Sequence, residues 1–192
     1  MQNNNINIFI NKKLKEISNN NQLRKTADVK RGKKNYISIN NTNKISFSCN
    51  DYLSLSLNKE VINSANKATK KYGVGAGASR LITGNHFLYS ILEDKIKKFK
   101  KVPACSVFGS GFLANIGVIS AIMKKGDLIV LDEFSHASTF LGAKLSSAKV
   151  IKFKHNDEKN LENILIENRK NFNNCMILTE GVFSMDGDIS PQ

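Results

Sequence analysis

Three stretches of the chain place residue types at spacings that could do chemistry. Phe108-Gly109-Ser110-Gly111-Phe112-Leu113-Ala114-Asn115 follows a short apolar run and leads into a helical pattern. Its glycines allow close backbone approach, and the first N–H groups of a helix lack intrahelical acceptors. A phosphate suits such a turn; so does bare strand-to-helix geometry, and these residues leave both readings open. His136, in Asp132-Glu133-Phe134-Ser135-His136-Ala137-Ser138, lies just past the apolar run Leu128 to Leu131. Ligands of parallel α/β sheets lie at that end of a strand, although a lone histidine also serves as a helix-start or surface residue. Thr179-Glu180-Gly181-Val182-Phe183-Ser184-Met185-Asp186-Gly187-Asp188 follows another apolar run. Its hydroxyl and acidic groups face a ligand at the same edge, or cap their own turns.

Other chemistries drop out. Gly73-Val74-Gly75-Ala76-Gly77 superficially resembles a dinucleotide loop, but it follows a helical pattern and its third glycine comes one position early. No Walker-type phosphate loop occurs. Cys49, Cys105 and Cys175 are isolated, odd in number and without CxxC spacing, and read as buried reduced thiols. His86, His136 and His155 stand 50 and 19 residues apart, which is no local metal spacing. No metal is expected.

These stretches need elements to position them. After Pro103, apolar runs alternate with helical patterns: strands at 104–108, 128–131, 150–153 and 175–179, and helices at 112–123, 137–147 and 161–170. That alternation predicts an α/β fold, a mostly parallel sheet covered on both faces as a three-layer sandwich. Upstream, Ile6, Phe9, Ile10, Leu14 and Ile17 mark an amphipathic arm. Residues 23–43 read as basic and loop-like, with Tyr36, Ile37 and Ile39 pairing Ile45 and Phe47 in a short hairpin across Asn40, Asn41, Thr42 and Asn43. Two further helices are expected, one from Val61 to a stop at Gly73 and one over 88–99.

Composition limits the function classes. A chain of 192 residues, 41% hydrophobic and 23% charged, suits one soluble domain with a core. No apolar run reaches the roughly 18 to 20 residues that span a bilayer. The Asn-rich N-terminus lacks the apolar stretch of a secretory signal, so the cytoplasm is the expected location and no membrane partner is expected. Net charge is +13, but 25 of the 29 basic residues are Lys, scattered along a chain that also holds 25 Asn. Nucleic-acid readers favour Arg forks, so no nucleic acid is expected, whereas an anionic substrate fits.

Taken in order, Asn50-Asp51-Tyr52-Leu53, Gly73 to Gly84 with Ser79-Arg80-Leu81-Ile82, Ser110 to Asn115, Ser135-His136-Ala137-Ser138, His155-Asn156-Asp157 and Glu180 to Asp188 form one pattern. It resembles the α-oxoamine synthase family of pyridoxal-phosphate enzymes over residues 6–192. The resemblance implies part of the large domain of a fold-type I pyridoxal-phosphate-dependent transferase. Residues 1–49 would form an N-terminal helical arm and hairpin, and 50–192 the first part of the cofactor-binding domain. Members join a small amino acid to an acyl-CoA, losing CO2 and CoA. Within the family, Thr179 to Asp188 looks most like the branch of biotin synthesis, and Leu23-Arg24 suits it too. The 5-aminolevulinate branch usually has Tyr where Phe183 stands. That branch and the 2-amino-3-ketobutyrate ligase branch remain alternatives.

By resemblance, Gly111 and Phe112 contact pyridoxal 5'-phosphate, His136 stacks on its ring, and Ser184 hydrogen-bonds it. Asn50 and Glu180 line the pocket; Arg24, Ser79 and His86 serve the substrate side. The family's Asp for the pyridine nitrogen, its second active-site His and its Schiff-base Lys are expected C-terminal to Gln192. Residues 1–192 alone are therefore expected to be inactive. They would act with a complementing C-terminal chain, in a family that works as a homodimer, or be an inactive relic or a basic interaction module.

Overall fold

The computed structural model describes residues 3–32 and 35–191. They divide into two compact units, 1–77 and 78–192, whereas the sequence pattern changes at 49/50.

In the first unit the amphipathic arm is α1 (Asn3–Asn19). Strands β1 (Val29–Arg31), β2 (Tyr36–Ile39) and β3 (Thr42–Ile45) form an antiparallel sheet in that order. The β2–β3 hairpin is tighter than expected. Its turn is Asn40-Asn41, with φ of 50° and 61°, left-handed geometry that matches strand twist and that Asn tolerates. Phe47 consequently falls outside the ladder and is exposed. Strand β1 corrects the loop expected there: three exposed residues pair with β2 and carry no apolar alternation to reveal them. Helix α2 (Lys59–Tyr72) starts at Asn58, whose Oδ1 accepts from the N–H groups of Glu60 and Val61, and stops at Gly73.

The second unit opens with a π-type turn, Arg80–Gly84, and α3 (Phe87–Lys100). Then come α4 (Gly111–Ile122), β4 (Leu128–Asp132), α5 (Ala137–Leu145), β5 (Lys149–Phe153), α6 (Glu158–Asn168) and β6 (Cys175–Leu178). The expected strand over 104–108 does not form. Among the described residues no strand pairs with it; Val107 instead donates its N–H to Glu93 and accepts from Arg80 at its carbonyl. The cysteines are free as expected, but half-buried rather than buried, and Cys105 lies in no strand. Burial pushes the Cys175 thiol up.

The sheet has the order β5-β4-β6, all parallel. Right-handed crossovers then dictate the layers: the chain moves one way from β4 to β5 and back past β4 to β6, so α5 and α6 must cover opposite faces. The packing agrees. Ile129 and Leu131 meet Ile119 of α4, Met123 at the cap of that helix and Ala143 of α5. Leu128, Val130 and Phe153 meet Leu161, Ile164 and Leu165 of α6. Alternate residues of one apolar strand thus face two helical layers, which gives the expected three-layer α/β sandwich.

Helices α4 and α5 touch at Gly142, where an added Cβ would lie 2.9 Å from the Asn115 carbonyl oxygen and 3.1 Å from Ile119. Backbone cannot yield as a side-chain tip does. Gly142→Ala should therefore destabilise the unit by about 1–3 kcal/mol despite alanine's better helix propensity. Urea unfolding checks this; a variant as stable as the parent would show that the helices separate freely.

Candidate functional site

A cleft of about 860 Å³ opens at the C-terminal end of the sheet, between the first turns of α4 and α5 and the segment after β6. Gly111, Phe112, Asn115, His136, Ser138, Glu180 and Ser184 are in its lining. This is the edge where open α/β sheets hold ligands.

Each wall has a local cause. Ser110 caps α4 by accepting the Leu113 N–H at 3.1 Å, and the Ala114 N–H bonds to the Ser110 carbonyl. The N–H groups of Gly111 and Phe112 have no acceptor among the described residues. They are two donors at the positive end of a 12-residue helix dipole. A Cβ on Gly111 would meet nothing within 4 Å, so the space beside it belongs to the cleft.

His136 is the N-cap of α5, so it is a helix-start residue and a cleft residue at once. Its Nδ1 accepts from the Ser138 N–H at 3.2 Å and lies 2.7 Å from Ser138 Oγ. Asn115 Nδ2 donates to that same Oγ at 2.9 Å. An Nδ1 that accepts leaves the neutral ring's proton on Nε2. Ring orientation and tautomer are thereby fixed from α4 through fully buried Ser138. The backbone N–H of His136 donates to Glu180, which ties the segment after β6 to the start of α5 and sets a carboxylate at its positive end.

The structure brings together Gly111, Phe112, His136, Glu180 and Ser184. Ser79 and His86 flank the Arg80–Gly84 turn and are not in this lining; His86 caps α3, its Nδ1 accepting from Leu88. Arg24 and Asn50 belong to the first unit, exposed before β1 and beside Asp51 respectively. Asp51 itself accepts from Arg31 and Ser56, and the Ser56 hydroxyl foremost holds its carboxyl below the usual range. Sequence reasoning missed Asn115 and Ser138 as site residues. Both stand inside the motifs that marked the site, but their bond spans 23 positions and no spacing rule signals it.

Known proteins resemble this chain in sequence and in fold. The profile described as aminotransferase class I and II matches residues 42–192. The 8-amino-7-oxononanoate synthase of Granulibacter bethesdensis is 50% identical over 147 residues, 77% of this chain and 38% of that protein. That of Beijerinckia indica is 47% identical over 156 residues, 81% and 40% of the two chains. Serine palmitoyltransferase from S. paucimobilis, solved with a bound PLP–myriocin aldimine, has a TM-score of 0.83 at 26% identity, over 95% of this chain and 46% of that one. 8-Amino-7-oxononanoate synthase from Francisella tularensis has a TM-score of 0.62 at 33% identity, over 75% and 39%. The chain spans about two fifths of the length of the curated relatives it matches. No helix among the described residues is long and apolar enough to cross a membrane.

Ser138→Ala should cost about 1 kcal/mol, because it removes a fully buried hydroxyl that accepts from the Asn115 amide and donates to His136 Nδ1. The imidazole ¹⁵N shift of His136 Nδ1 should then move, since that nitrogen keeps only the Ser138 backbone N–H as donor. An unchanged Nδ1 shift would show that the Ser138 hydroxyl does not hold the ring.

Proposed function

Because this chain belongs to the aminotransferase class I and II family, we propose that its cleft holds pyridoxal phosphate for the condensation of a small amino acid with an acyl-CoA. One observation carries the reading: two unpaired helix-start N–H groups and an imidazole of fixed orientation line the same cleft. A phosphate accepts what Gly111 and Phe112 donate, and a flat heteroaromatic ring suits the imidazole face. These residues fit the cofactor. When bound, it supplies an electron sink for the charge left as a bond at the amino acid's α-carbon breaks.

The remaining roles belong to the chain. His136 stacks on the ring and keeps water from that face. Glu180 commits one oxygen to the His136 N–H and so positions the loop that carries Ser184; the Ser184 hydroxyl donates to the cofactor. The family resemblance gives Ser79 and His86 roles on the substrate side, and gives Arg24 and Asn50, in the first unit, roles toward substrate and cofactor. The curated relatives favour the 8-amino-7-oxononanoate branch, hence biotin synthesis.

Among the described residues no lysine lines the cleft. By the family resemblance the lysine that anchors the cofactor would come from outside this lining, which by itself would bind without turnover. A homodimer or a complementing chain would supply the rest, and exposed Phe112, Val182 and Met185 are apolar surface for it to cover.

Thiol release from an acyl-CoA, offered alanine, glycine or serine, tests the activity with and without the C-terminal part of a relative. Turnover only in the complemented sample is expected, and the preferred amino acid decides the branch. Robust turnover by residues 1–192 alone would contradict the reading. Gly111→Val tests the cleft itself. A Cβ there meets nothing within 4 Å, so folding should persist while affinity for pyridoxal phosphate falls at least about tenfold. Unchanged affinity in the folded variant would place the phosphate elsewhere.

A further inference from the structure

A second cluster lies beside the cleft. Asp132, the fully buried last residue of β4, accepts from the N–H groups of Phe134 at 2.8 Å and Asn156 at 3.0 Å. Its Oδ1 also lies 2.9 Å from His155 Nδ1. The other ring nitrogen, Nε2, lies 2.7 Å from Asp188 Oδ2, which Asn156 Nδ2 also approaches at 2.6 Å. A neutral imidazole has one N–H, yet both nitrogens here face carboxylate oxygens. Only the imidazolium satisfies both. Phe134 stacks on the ring at 4.6 Å and Phe183 meets it edge-on at 4.4 Å, so the imidazole is half-buried between two aromatic rings.

Asp188 closes a tight loop. Phe183 donates its N–H to the Asp188 carbonyl, and Gly187 donates back to Phe183. Holding Asp188 therefore holds Ser184, which sits between them and lines the cleft. We infer that His155 is a positioning residue: clamped between Asp132 and Asp188, it pins the loop after β6 to the sheet and sets Ser184 toward the cofactor. That consequence rests on the cofactor reading above; the clamp does not.

Charge gives the clamp a pH dependence. The groups facing the imidazole are Asp132 and Asp188, while Glu133 accepts the His155 backbone N–H and Lys154, the neighbouring residue, is exposed. The Asp132 hydrogen bond foremost, with help from Asp188 and against burial, raises the His155 pKa. A raised value means the clamp is complete below the free-imidazole value of about 6.5 and is lost as pH climbs through the folded one.

Hydrogen exchange over Glu180 to Asp188, read as protection factors against pH, tests this in the whole chain, alongside pyridoxal-phosphate affinity. His155→Gln should lower loop protection about tenfold relative to β4, as expected for loss of a charge-assisted bond, and weaken affinity. Asp188→Asn keeps the shape, so it should fold, lower the His155 pKa and give a smaller loss. Asp127→Asn is the control, since Asp127 binds Lys124 and Asn174 at the opposite end of β4. In the parent, loop protection should fall with the His155 titration while β4 stays protected. Loop protection unchanged in Asp188→Asn, or falling only in step with β4 as in the control, overturns the clamp. A loop that follows His155 in a chain that binds no pyridoxal phosphate would sink the cofactor reading and leave the clamp standing.

Discussion

The second unit depends on the complete burial of β4. Every residue from Leu128 to Asp132 is inaccessible to solvent, so both faces of one strand must be covered. Four of these residues are apolar and meet that demand by packing against α4 and α5 on one side and α6 on the other. The fifth is a carboxylate. Burying a charge without partners is prohibitive, so the end of β4 must gather donors. It takes them from Phe134 and from the His155-Asn156 turn after β5, which in turn reaches Asp188 after β6. A solvation requirement thus draws the loops at one end of the sheet together.

The cleft follows from the same arrangement. Helices α4 and α5 pack on one face because Gly142 lets them approach, and this brings the start of α4 beside His136. Unpaired helix N–H groups, an imidazole fixed by Ser138 and a carboxylate bound to the His136 N–H then share one edge. None is unusual alone. Their convergence comes from strand order, since the chain reverses direction across β4 and opens a crevice there.

Much of this was legible in the sequence, where local rules apply. Short apolar runs alternating with helical spacing gave β4, β5, β6 and the helices between them, because burial on both faces writes itself into a continuous run. Gly111 and His136 were legible because each follows or opens such an element. The segment 104–108 misled because apolar content shows a wish for burial, not a pairing partner. Strand β1 was hidden for the opposite reason: three exposed residues pair by backbone alone. The bonds that orient the site span 23, 33 and 44 positions, from Asn115 to Ser138, His155 to Asp188 and His136 to Glu180. Such bonds are decided by topology, which no local spacing encodes.

The central claim is that one cleft presents phosphate donors and a stacking imidazole to the same ligand. It is tested most directly by titrating the ¹⁵N-labelled chain with pyridoxal phosphate and following the Gly111 and Phe112 amides together with the His136 ring. All three should shift saturably with one midpoint, and inorganic phosphate should move the two amides while leaving the ring nearly untouched. Saturable binding that leaves Gly111, Phe112 and His136 unmoved while surface lysines react would contradict the account.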